Sequence, residues 1–119
     1  MPAAHPNQYD FDKVFRFIDL STTGQVPATN NGCYVTGMVL SNAHNSARYI
    51  KIYNKATAAT SSDMPVMTIL LPHAGSMSIS GLSIPFPAGF SVRACTGLAD
   101  NDNTAPGANE VTVNIFYRG

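Results

Sequence analysis

The sequence predicts an all-β chain: a single two-sheet antiparallel β-sandwich, of jelly-roll or immunoglobulin-like topology, preceded by an extended N-terminal arm. Three observations carry this. Short apolar–polar alternations recur from Cys33 to Tyr117, and turns rich in Gly, Pro, Asn and Ser separate them at short spacing. No segment offers a helical crossover of the kind parallel strands require. At 119 residues the chain makes one domain, burying about two thirds of the surface an extended chain would expose.

Each element has its own justification. Residues 1–12 read as an extended arm, with Pro2 and Pro6 and little to bury. In the next segment Phe11, Val14, Phe15 and Ile18 fit helical spacing and Asp10 is placed to cap a helix, but Val14, Phe15, Phe17 and Ile18 are β-formers. Residues 13–20 are therefore predicted as the first strand of a sandwich domain spanning 13–119. Residues 21–32 form a loop with Gly24, Pro27 and the Asn30-Asn31-Gly32 turn.

Residues 33–42 set Val35 and Val39 against Thr36 and Met38, with Gly37 as a bulge or close-packing point. In residues 48–55, Ile50 and Ile52 share one face while Tyr49, Lys51 and Tyr53 share the other, the pattern of a half-buried strand. Residues 56–64 are a small-residue loop. Prolines bound the strand at 65–71 and, lacking an amide donor, fit strand ends or an edge. Residues 76–80 point Met77 and Ile79 inward and serines outward, and IPFPAG at 84–89 is too proline-rich for a central strand. Strands at 90–96 and 110–117 complete the set, with a polar loop at 98–109 between them.

Formal net charge is +0, which removes the electrostatic basis for nucleic-acid binding. Charged residues make up 12% of the chain, against a usual figure of about a quarter. So neutral an exterior self-associates unless it is covered, and part of it is expected to meet sister subunits or a larger assembly. The N-terminus has neither a cationic region nor an apolar core, so no signal peptide is read there. No apolar run is long enough to span a bilayer, and no membrane partner is expected. Synthesis in a reducing cytoplasm is the default expectation.

Cys33 shares strand parity with Val35, whereas Cys95 lies opposite Phe90, Val92 and Ala94. With apolar parity inward in both strands, the sulfurs point to different sides, and two free thiols are expected. Asp100-Asn101-Asp102-Asn103-Thr104 alternates oxygen ligands as calcium loops do, but Ala105 and Val111 stand where an EF-hand needs Gly and Glu. A turn in which Asp and Asn bond their own backbone is the better reading. His5, His44 and His73 have no partner at metal-ligand spacing. No nucleophile elbow, carboxylate pair or phosphate loop is visible, so neither an enzyme nor a cofactor is predicted. The Tyr49–Lys51–Tyr53 face, with Arg48 and Lys55 nearby, is suited to stacking a sugar ring or an unpaired base. Its plainer reading is an exposed sheet face or a subunit contact.

The order of segments RYIKIYNKAT, PVMTILLP, SMSISGLSIPF, GFSVRACTGLADNDNT and EVTVNIFYR, with FRFIDLSTTGQ before them, resembles small structural proteins from the virion-assembly modules of tailed bacteriophages. The likeness covers roughly the C-terminal two thirds of the chain. It implies a non-enzymatic virion protein, foremost a decoration or cement protein on the capsid surface. The major capsid protein would be its partner and a homotrimer its form. A tail, neck or fibre component is the alternative within phage, and a carbohydrate-binding sandwich module the alternative outside it. Under the virion reading the candidate assembly contacts are His5, Tyr9 and Phe11 of the arm and its junction, together with Tyr49, Tyr53, Phe86 and Tyr117.

Overall fold

The computed structural model describes residues 11–119. The arm at 1–10, with His5 and Tyr9, lies outside the described residues. Eight strands follow: β1 (Lys13–Phe17), β2 (Cys33–Asn42), β3 (Arg48–Asn54), β4 (Met67–Leu71), β5 (Gly75–Ile79), β6 (Ile84–Phe86), β7 (Phe90–Cys95) and β8 (Val111–Arg118). They form two antiparallel sheets, and the predicted β-sandwich is what the chain builds. The first strand stops three residues short of the predicted 20. There the chain leaves β1: Leu20 donates its amide to the Val111 carbonyl, buries its side chain fully, and starts the crossing to the other sheet.

The larger sheet runs β1-β8-β2, with β5 and β6 both on the far side of β2, and the smaller runs β4-β3-β7. Segment 21–25 extends the smaller sheet at its β7 edge. Gln25 exchanges two backbone hydrogen bonds with Val92, and the Ala94 amide reaches the Ser21 carbonyl. The last strand thus sits between the first and second, and the chain alternates between sheets as it wraps. That is a jelly-roll order; an immunoglobulin sandwich would place the last strand in the other sheet, beside β7.

Between the sheets lie Val35, Met38 and Leu40 of β2, Ile50 and Ile52 of β3, Phe90, Val92 and Ala94 of β7, and Val111, Val113, Ile115 and Tyr117 of β8. Phe90 is the hub of an aromatic cluster, edge-on to Phe15, Phe86 and Tyr117 at centroid distances of 5.8, 6.1 and 5.1 Å. Such tilted contacts set positive ring edges against negative faces, and they close one end of the core. Cys33 faces this core and Cys95 the opposite side of its sheet; both are free thiols, as strand parity predicts.

The parity of β2 needs one correction. Val39 does not share a face with Val35, because the register against β8 slips between Val35 and Gly37. The extra residue, Thr36, makes a bulge, and beyond it the inward set becomes Met38, Leu40 and Asn42 while Val39 turns to solvent. Gly37 is required there, since a Cβ on it would sit 2.9 Å from the Ile79 carbonyl oxygen. Gly37→Ala is expected to lower stability by about 1–3 kcal/mol, seen as a reduced urea midpoint at unchanged slope.

Candidate functional site

The two sheets differ in what lies outside them. On the smaller sheet the outward row is Lys51 and Tyr53 of β3 with Ser91, Arg93 and Cys95 of β7, and every one of these is buried. Lys51 and Arg93 stand directly opposite one another across the strand pair, an arrangement that costs energy unless their charges are met. The loops meet them. Arg93 Nε donates to the Thr22 carbonyl at 2.8 Å, Nη1 to the Tyr53 hydroxyl at 2.9 Å, and Nη2 to Asn103 Oδ1 at 2.6 Å and the Asp102 carbonyl at 3.3 Å. Lys51 Nζ donates to the Ala99 carbonyl. The Cys95 thiol donates to the Asp102 carbonyl, and Ser91 Oγ accepts the Ala59 amide at 2.9 Å.

The Asp102 carboxylate binds its own turn, accepting the Gly97 and Thr104 amides at 3.1 and 3.2 Å and the Thr104 hydroxyl at 3.3 Å. This is the self-bonded turn that the sequence predicts, with a further role that the sequence did not show: it holds the loop against Arg93. Burial by itself would raise the Asp102 pKa, but these hydrogen bonds and nearby Lys51 outweigh it and hold the carboxyl below its ordinary value. Glu110 is lowered in the same way. Burial is overcome by Arg48, whose Nε lies 2.9 Å from Oε1, with His44 at 3.9 Å. That ion pair ties the start of β3 to the start of β8. Burial pushes both thiols up, against weaker opposing pulls from Lys13 on Cys33 and from Arg93 and Lys51 on Cys95.

The outer face of the larger sheet has no such cover from the described residues. It presents Val14 and Arg16 of β1, Asn114, Phe116 and Arg118 of β8, Tyr34 and Val39 of β2, and Ser76 and Ser78 of β5. Val14 and Tyr34 are about half exposed. Phe11 packs on Phe116 with centroids 4.9 Å apart, and a hollow of about 210 Å³ lies beside them at Gly37. Arg118 stacks over Tyr34 at 5.1 Å, and its buried Nε has no hydrogen-bond partner among the described residues. Arg16 and Arg118 are the charges on this row, and no carboxylate lies in it.

The candidate contacts fall into three groups. Phe11 is exposed at the edge of this bare face, and Tyr49 is partly exposed on the smaller sheet. Tyr53, Phe86 and Tyr117 are buried: Tyr53 beside Arg93, whose Nη1 donates to its hydroxyl, and Phe86 and Tyr117 in the core aromatic cluster. None of these three presents a surface to a partner in this fold. The Tyr49–Lys51–Tyr53 face is likewise no open platform, since Lys51 and Tyr53 are buried and only Tyr49 is partly exposed. Alternation marked two faces properly, but the second is sealed by loops instead of by solvent. Among the described residues, no three His, Cys, Asp or Glu side chains converge. A cleft of about 310 Å³ between segments 22–24 and 58–61 is lined by Thr, Ser, Ala, Gly and Asn, with no titratable side chain.

Compared with known proteins, the chain matches no family model, no curated protein and no solved structure. Its class therefore rests on its own topology: an all-β sandwich with jelly-roll strand order.

Two outcomes test the loop clamp. Arg93→Met is expected to lose about 3 kcal/mol in urea unfolding, because Asn103, Tyr53 and two carbonyls lose their buried donor. The pH dependence follows from the shifted groups. Asp102 and Glu110 hold protons less tightly when folded, so their stabilisation is complete above their ordinary values of 3.8 and 4.5 and is lost as pH falls through the lower folded values. The raised thiols favour the folded state only while protonated, and that contribution is lost as pH rises past 9.0. The melting temperature should be flat from about pH 5 to 8.5 and fall on both sides, with a shallower acid limb in Asp102→Asn.

Proposed function

We propose that this chain is a non-enzymatic structural protein of a tailed-phage virion: a decoration or cement protein that seats on the outer head surface and stabilises the shell. Two things support the reading. One is the resemblance of the segments from Arg48 to Arg118 to proteins of phage virion-assembly modules. The other, which carries it physically, is the bare outer face of the larger sheet. Its half-exposed apolar residues, and an arginine whose Nε lacks an acceptor among the described residues, fit a surface that meets another protein.

In this reading the face at Phe11, Val14, Tyr34 and Val39 lies against the major capsid protein, and a carbonyl or carboxylate of the shell accepts from Arg118. The partner adds buried apolar area and hydrogen bonds across neighbouring shell subunits. This reading needs attachment to the shell and requires neither the trimer that the resemblance implies nor any other stoichiometry.

The deciding measurement is the number of copies per purified particle, by quantitative peptide mass spectrometry against the major capsid protein. A count comparable to the capsid protein is the expected result. A handful per particle would move the chain to the tail or neck, and none would end the virion reading. Val14→Glu, at an exposed site, is expected to leave the melting temperature within a degree or two but to weaken attachment to particles at least about tenfold. Removing residues 1–10 should likewise weaken attachment while the fold persists. Full attachment of the truncated chain would take the arm out of the contact.

A further inference from the structure

The sandwich has four sheet edges, and the chain guards them unequally. β1 carries Lys13 and Arg16 within its five residues, and charge is a common guard against strand addition. The β7 edge is taken by segment 21–25. The remaining two, β4 and β5, lie on the same side of the sandwich, joined by the short 72–74 connection. Neither has a charge or a strand across it among the described residues. No Asp, Glu, Lys or Arg occurs anywhere from Met64 to Val92, so both open edges fall within one charge-free run.

The core is also incompletely sealed on this side. Met67 and Ile69 of β4 and Met77 and Ile79 of β5 point inward, yet all four remain partly exposed. Along the outside of β4, Val66 and Leu70 are 50% and 51% exposed and Met64 is 75% exposed. Pro65 and Pro72 flank β4 and offer no backbone donor, so they delimit the window in which another strand can pair.

We propose that a second copy of this chain covers this side. β4 pairs antiparallel with β4 of that copy about a two-fold axis, merging two three-stranded sheets into one of six. Charge selects the occupant. A two-fold axis sets each strand against its own sequence, so a charged edge would repel itself, whereas an uncharged one is self-complementary. A charged foreign strand would find no opposite charge here. A stable pair must remove about 800 Å² from each copy, and the under-buried methionines, isoleucines, valine and leucine of this side supply apolar area toward it. The contact uses a different surface from the proposed shell-binding face and does not depend on that reading.

Sedimentation equilibrium of the full chain over a wide concentration range tests it. The wild-type chain is expected to be dimeric. Leu70→Lys and Val66→Lys place like charges across the pair at exposed sites, and each should weaken association at least about tenfold while the circular dichroism spectrum stays as in wild type. Val39→Lys, on the outer face of the other sheet, should leave the dimer intact. A wild-type chain that stays monomeric throughout overturns the proposal, as does an oligomer that survives Leu70→Lys or dissolves with Val39→Lys. If the full chain is monomeric and dimerises only without residues 1–10, the edge belongs to the chain's own N-terminal segment and the second copy is excluded. Copy number on particles reads the shell-binding proposal separately, so the two fail independently.

Discussion

A three-stranded sheet has two faces, and a sandwich core covers only one of them. In this chain the β3-β7 part of the other face of β4-β3-β7 is covered by loops, and the covering depends on the guanidinium of Arg93. Its planar fork reaches segment 22 on one side, the 102–103 turn on another and Tyr53 between them. Two segments far apart in sequence are thereby held on one strand. Lys51, opposite Arg93 in the ladder, needs the same loop to satisfy its ammonium, so the two cations stand or fall together. Buried cations answered mainly by carbonyls and amide oxygens demand close geometry, because a charge left without partners in the interior is far more costly than an unmade neutral bond. The polar layer is thus a source of specificity for the loop fold more than of net stability.

Strand positions were legible in the sequence because alternation is a direct imprint of the pleat. β2 was placed at its observed bounds, and β3, β5, β7 and β8 within a residue or so. The proline-bounded β4 lies at an edge, as the missing donors imply. What alternation could not carry was the identity of the second layer. Tyr49, Lys51 and Tyr53 read as a face toward water because they are polar or amphipathic, yet Lys51 and Tyr53 are buried under segments contributed by residues 58–59 and 97–104. Pattern reports the chemistry of a face, and only tertiary structure reports what lies against it.

Two other misreadings have equally local causes. One extra residue at Thr36 reverses the sidedness of the rest of β2, and a period-two pattern has no means of marking that reversal beyond the glycine beside it. Tyr117 and Phe86 read as surface anchors by residue type, but both lie around Phe90, where ring area is worth more inside than out. On the candidate surface, the sequence offers Phe11 as a candidate by its place at the arm junction, and gives no sign of Val14, Tyr34 or Val39. Single exposed apolar residues scattered over three strands have no signature until the register brings them side by side.

The positions of the two thiols have a consequence for the environments the chain can tolerate. Cys33 looks into the core and Cys95 out under the loop, so the sheet itself stands between them, and both are shielded from solvent. Burial also keeps each sulfur in its protonated and unreactive form. The fold therefore holds no disulfide that reducing surroundings could break, and its two shielded thiols, on opposite sides of a sheet, are not placed to form one with each other.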